Sequence, residues 1–512
     1  MRKRTGICLT ICVALMSILT VLPNRASGLD LMDGDLHVSG KLDNFTGIRT
    51  ESRAWYDSGI KDAETESGDL SRCRSTLQLE AEWRLTPDLT LHAIGRGYYE
   101  AKYSIDDDIY TSKEDADDLN AIPRGDGMQS DADLREFYIK YTVGNFLISV
   151  GKQQIVWGES DALRMSDIIN PLDMSWHYVF ADWEDIRIPL RLIDVKYRVP
   201  NSKYKLTAEL VWNPEDFKPN SFAPYGDNYY IFGDVPTLTF MLPPGVTFRG
   251  IFFDAMKEAN NRDEGNHSLR NGAGGVRLGG MFGGWEVFLY DYYQPSQSPV
   301  ATLDQSIMMT DPHMGLRFEY PYINTLGATF NVFNNFTGTV FRGECGYIFN
   351  EPFTKNVPLP IPGMVGPDSN IVKKDSFSYM LGFDRPTMIP FLNQTRSFFI
   401  SGQIFQKFVF NSAGVDGLAT GVGEDGDDDH NFITTLLIDT NYWDDKLKPA
   451  VLVAWDIRGK NGFFRPKISY QPTFDWDITL GYLRAWGDNY NSGTFGPVKD
   501  TDEVFLKLTY KL

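Results

Sequence analysis

The residues best suited to chemistry crowd into one stretch, 151–191, which reads GKQQIVWGESDALRMSDIINPLDMSWHYVFADWEDIRIPLR. It opens on a strand-like alternation that stops after Val156. Within it stand Lys152, Gln154, Trp157, Glu159, Asp161, Arg164, Asp167, Asn170, Asp173, Trp176, His177, Trp183, Glu184, Asp185, Arg187 and Arg191. Carboxylates, guanidinium groups and indoles at that density can brace a packed segment or ring a selective opening. Bond-making chemistry is the weakest of the three readings. The chain has no H-E-x-x-H, G-x-S-x-G, P-loop or C-x-x-C-H motif, and its six histidines are scattered. Gly272-Ala273-Gly274-Gly275 has Arg277 where a dinucleotide fingerprint needs glycine, so it reads as a glycine-rich strand start. The acidic run Glu424 to Asp429 has the composition of a calcium loop. Counted from Asp425, however, an EF-hand would need glycine at His430 and glutamate at Leu436. It reads as a solvated loop, with weak divalent-cation binding by Asp425, Asp427 and Asp429 as the alternative. The aspartates between Asp106 and Asp118 read the same way. No cofactor is expected.

Alternation supplies the elements that must hold such a segment. Leu77, Leu79, Ala81, Trp83 and Leu85 are apolar at every second position, with Gln78, Glu80, Glu82 and Arg84 between them. After Thr86-Pro87-Asp88 the period resumes through Leu89, Leu91, Ala93, Gly95, Gly97 and Tyr99, with Arg96 on the polar face. This is a hairpin with one apolar and one strongly polar face. Similar pairs recur at 137–150, 190–212, 276–293 and 315–333, and further strands at 339–348, 377–383, 398–408, 432–442, 450–455, 463–470, 478–486 and 504–512. Charges on one face of so many strands suit a water-filled lumen, whereas a sandwich core would not bury them. The expected fold is therefore all-β: a transmembrane antiparallel β-barrel of about 16 strands, within 14 to 18. Its connections alternate between short turns and long polar loops. The segment 151–191 is too rich in aromatics and paired charges to hang in water, and is expected to fold inward as a plug or constriction. Arg96 and Lys152 would extend a charged ladder across the lumen.

The N-terminus reads as a secretory signal over 1–28. It has Arg2, Lys3 and Arg4, an uncharged apolar run to Leu22, then Ala26-Ser27-Gly28. The remainder, 29–512, is expected to be a single barrel domain, with no apolar run long enough for a transmembrane helix. It carries 45 basic and 68 acidic residues, net −23. That balance argues against a nucleic-acid binder, which needs Lys and Arg to replace phosphate counterions, and favours cations or neutral solutes in a pore. Cys73 and Cys345 remain in this portion, with their pairing open.

Three strings resemble a known family. They are Gly151-Lys152-Gln153-Gln154-Ile155-Val156-Trp157-Gly158-Glu159, Asp167-Ile168-Ile169-Asn170-Pro171-Leu172-Asp173, and Asp182-Trp183-Glu184-Asp185-Ile186-Arg187-Ile188-Pro189. Together with Val340 to Glu344 and Gly382 to Pro386, they are similar to the domain-of-unknown-function 1302 proteins. The resemblance implies a Gram-negative outer-membrane barrel with a signal peptide. It does not fix a function: members are associated with export systems for hydrophobic molecules or with porin activity, and the function expected here is porin-like transport of small or hydrophobic solutes, coupled or not to an export or lipid-transfer system. The lack of catalytic motifs argues against an enzyme. The alternative is a non-conducting barrel that binds or assembles with a periplasmic lipid-transfer system. Expected partners are outer-membrane lipids and periplasmic or inner-membrane transport components.

Overall fold

The computed structural model describes residues 28–57, 60–105, 110–111, 122–123, 129–161, 163–177, 181–214, 217–223, 272–303, 316–355, 371–412, 418–420, 427–490 and 492–512. The expected signal over 1–28 falls outside them except for Gly28. Eighteen strands form one closed antiparallel ring. They are β1 (Leu36–Arg49), β2 (Leu70–Thr86), β3 (Leu89–Glu100), β4 (Ser130–Val143), β5 (Phe146–Gln153), β6 (Leu190–Arg198), β7 (Thr207–Asn213), β8 (Ala273–Phe282) and β9 (Trp285–Pro295). The ring continues with β10 (Tyr322–Asn334), β11 (Thr339–Lys355), β12 (Ile371–Thr387), β13 (Phe398–Val409), β14 (Ile433–Asp439), β15 (Leu447–Asp456), β16 (Asn461–Tyr470), β17 (Trp476–Trp486) and β18 (Glu503–Lys511). Each pairs with its neighbour in sequence, and β18 closes on β1 with Lys511 opposite Lys41 and Glu503 opposite Arg49. The ring itself leaves no edge open, which a hydrocarbon environment demands.

The ring has eighteen strands where about 16 were expected. β1 carries a blurred pattern: Asn44 and Thr46 share a face with Leu42 and Ile48, while Phe45 stands among polar neighbours. In the opposite sense, the expected strand at 315–320 is not part of the ring. Leu316–Glu319 pairs instead with Val300–Leu303 as a separate hairpin in the β9–β10 connection.

The alternating faces separate as period two requires. Leu77, Leu79, Leu289 and Leu480 project outward and are exposed, whereas Asp43, Arg72, Arg74 and Gln78 on the other face are buried. Turns at one end are short. Gly283 and Gly284 join β8 to β9 with φ of 63° and 90°, the left-handed pair that a two-residue hairpin requires. Both ends of the ring lie on this side, where the Leu512 N–H donates to the Gly40 carbonyl. At the other end the connections are mostly long, among them 50–69, 101–129, 154–189 and 214–272. Cys345 is free, so it does not pair with Cys73.

Candidate functional site

Residues 154–189 connect β5 to β6 from the long-loop end. The loop begins just after Gly151, whose φ of 138° suits glycine. A Cβ there would stand 2.2 Å from the Phe137 carbonyl oxygen. Asn170 then ties the two ends of the loop together. Its Oδ1 accepts from the Ile155 N–H (2.8 Å), and its Nδ2 donates to the Gln153 (3.3 Å) and Ile188 (2.9 Å) carbonyls. Asp167 adds an ionic clasp, accepting from Arg187 Nε (2.7 Å) with Arg164 Nε at 3.1 Å. Trp157 packs between the rings of Tyr290 and Tyr292, both 5.6 Å away, in a cluster with Ile155, Ile169, Leu190 and Leu192. Trp157 and Asn170, expected to line a constriction, are instead buried between loop and wall. A large indole and an amide with every polar atom in reach of main chain are better accommodated there than in water.

Beyond this anchor the loop crosses the ring. On one side Arg96 of β3 donates to the Asp185 carbonyl (2.8 Å), Lys41 of β1 reaches Asp185 Oδ1 (3.4 Å), and Arg135 of β4 donates to the Arg187 carbonyl (2.8 Å). Gln154 donates to Glu136 Oε1 on β4 (2.9 Å). On the far side Arg342 of β11 pairs with Asp161, and Gln403 of β13 donates to Asp161 Oδ2 (3.1 Å). Glu344 of β11 accepts from the main-chain N–H groups of Glu159 and Ser166. Trp183 Nε1 donates to the Asp161 carbonyl (2.8 Å), tying the two sides together. In an eighteen-membered ring β3 and β11–β13 lie nearly opposite. The loop is therefore a strut across the barrel. Asp173 turns inward on itself and accepts from the Ser175 N–H at 3.1 Å.

Lys152 and Arg191 require a correction. Residues directly opposite in a ladder share a face, and Lys152 lies opposite both Phe137 and Arg191. Phe137 and Val150 on that face are exposed large hydrophobics, while Ser149, Gln153, Leu192 and Asp194 on the other are buried. Lys152 and Arg191 thus project to the outside near the long-loop rim, where long cationic side chains reach headgroups. In the ladder, Lys152 bonds to Asp133 Oδ2 at 3.1 Å. Of the calcium candidates, Asp425 lies outside the described residues. Asp429 contacts His430 and neighbouring Asp428 contacts Arg458 (3.0 Å). No group of metal-ligating side chains occurs among the described residues. The wall partners Lys41, Arg135, Glu344 and Gln403 were not singled out as site residues from sequence. For Lys41, Glu344 and Gln403 the inward position at period two was the available signal; Arg135 sits at a bulge in β4, out of that period.

Electrostatics follows the strut. Burial, together with the charge of Glu286 and then Glu344, pushes the Glu159 carboxyl above its ordinary range. Burial also acts upward on Asp182, but Lys507, Lys467 and Arg465 outweigh it and hold that carboxyl below its ordinary range. The wall beside Asp182 is thus cationic, whereas the wall beside Glu159 mixes Glu286 and Glu344 with Arg277 and Arg342.

A closed ring of antiparallel strands, apolar outside and charged within, defines an outer-membrane-type β-barrel. The chain belongs to the family described as protein of unknown function DUF1302, whose model matches residues 7–512. Similar solved structures include a BenF-like porin from Pseudomonas fluorescens Pf-5, with a TM-score of 0.46 and 9% identity over 94% of this chain and 100% of that one. Others are Acinetobacter baumannii OccAB1 (TM-score 0.46, 11% identity, 95% and 98% coverage) and Pseudomonas aeruginosa OpdK with vanillate (TM-score 0.45, 11%, 93% and 98%). No curated protein matches.

Proposed function

We propose that the protein is an outer-membrane channel of the porin type, exported with a cleaved leader over 1–28, whose lumen is narrowed by the 154–189 strut. The observation that carries this reading is the pairing of one loop with β3 on one side and with β11 and β13 on the other. Pore size then depends on a loop held by hydrogen bonds, while the wall is held by its own ladders. Asp161, Asp185 and Trp183 border the opening in this reading, and Asp167, Asn170 and Arg187 hold the strut in shape. Small solutes pass through, by passive diffusion or coupled to an export or lipid-transfer system. Planar-bilayer recording of the purified protein tests it. Removing 157–186 raises single-channel conductance several-fold; an unchanged or absent conductance in both proteins refutes it.

One observation favours a second reading, a non-conducting partner of a periplasmic lipid-transfer system. Phe336, Phe474 and Phe391, at tips of short turns, are 98%, 92% and 86% exposed. In that case neither protein conducts, and serine at these three positions abolishes co-purification of the periplasmic component.

A further inference from the structure

A cavity of about 280 Å³ lies between the strut residues 176–177 and 181–185 and an arc of six adjacent strands, β16 to β18 and β1 to β3. Its lining carries seven Arg and Lys side chains against four carboxylates, all Asp. Three of those four are already engaged by lysines: Asp43 and Asp185 by Lys41, each at 3.4 Å, and Asp182 by Lys507 at 3.7 Å. Arg74 has Glu100 behind it at 3.4 Å. Counting that glutamate as well as Lys41, cations remain in excess. The charge of this side of the lumen is thus opposite to that of the chain as a whole.

Aromatic rings hold the guanidinium groups in place. Arg72 lies between Phe45 (4.4 Å) and Trp176 (4.8 Å), and Arg74 between Tyr98 (4.1 Å) and Trp176 (4.6 Å). Arg465 covers the ring of Phe505 at 5.2 Å. A guanidinium stacked by its face keeps its N–H donors in the plane, the geometry that a carboxylate engages through two parallel bonds. The faces of Phe45, Trp176 and Phe505 are taken up by these guanidinium groups and by one another, so charge is what the cavity offers a ligand. The volume is close to the lower bound of roughly 300 Å³ for small-molecule sites.

We propose that this cavity binds small organic anions through their carboxylate and passes them beside the strut; the transport half of this statement rests on the channel reading above. Benzoate and its uncharged counterpart benzyl alcohol are the probes. In calorimetry on the full chain in detergent, benzoate binds and benzyl alcohol binds at least tenfold more weakly. The pair Arg465→Gln and Lys467→Gln weakens benzoate at least tenfold, while Lys467→Arg does not. In planar bilayers, the zero-current potential across a KCl gradient reports chloride preference, and the double variant shifts it toward potassium. Equal binding of the two probes, benzoate binding insensitive to the double variant, or potassium preference in the unaltered protein overturns the proposal. Unheated migration of the double variant on a denaturing gel confirms that its barrel has formed. Binding without conduction leaves the site standing and refutes the channel; conduction without binding does the reverse.

Discussion

Asn170 shows how much of the loop's shape depends on one side chain. It is fully buried, and its three hydrogen bonds join the loop's first residues to its last. Alanine there leaves an N–H and two carbonyls without their partner, at about 1–3 kcal/mol for each buried group left unsatisfied. Asn170→Ala therefore speeds amide exchange at Ile155 by tenfold or more and leaves exchange in β10 and β11 unchanged; equal protection at Ile155 in both proteins contradicts this. His177 sets a pH dependence at the same scale. Burial and then the charge of Arg72 hold its imidazole down at about 3, against the opposing pull of Glu503 3.8 Å away. A released imidazole titrates near 6.5, so the free loop binds the proton more readily than the docked one. Docking is at full strength above pH ~6.5 and weakens progressively as pH falls from there toward about 3. Conductance recorded from pH 7 to pH 4 rises in the unaltered protein, and His177→Gln flattens that rise.

At the scale of elements, the strand faces make separate demands. Leu289 and Leu480 sit near the centres of β9 and β17 and are among the most exposed strand residues. Arginine at either position costs about 2–4 kcal/mol near the bilayer midplane, read from guanidinium unfolding in lipid vesicles. Arginine at Asn335, in a short turn, changes stability by less than about 0.5 kcal/mol. Most strands were legible for the same physical reason: a wall between lipid and water must alternate strictly. β1 was not, because Phe45 faces inward to pack on Phe505 (ring centroids 5.2 Å apart) and Arg72. An aromatic that serves a lumen site breaks the pattern that announces a strand. Lys152 shows the converse failure. Its charge suggested the lumen, but the ladder register beside Phe137 assigns it to the outside, and only pairing with neighbouring strands determines that.

At the scale of the whole molecule, the barrel and its strut are separable. Sequence marked 151–191 as a segment that must fold inward, since its charges needed partners. It could not say which, because Arg342 and Gln403 come from strands 181 and 242 residues away from Asp161 and meet the loop only after the ring closes. Ring closure itself owes nothing to the loop: every strand from β1 to β18 pairs with its two neighbours, and the last pairs with the first. The polar wall groups that the strut engages are charged or amide side chains, which water solvates once the loop is gone. The apolar cluster around Tyr290 and Tyr292 loses Ile155, Trp157 and Ile169 to the deletion or to disorder beside it, the cluster around Met380 and Phe405 loses Leu163 and Met165, and these are the main cost. Removal of 157–186 should therefore leave a folded barrel of lowered but measurable stability. Its unheated form migrates faster than its heated form on a denaturing gel, as the unaltered protein does, and its melting temperature falls by several degrees. If the deleted chain shows no compact unheated form, the strut is a structural brace that the wall requires, and a rise in conductance could not be assigned to an unblocked lumen.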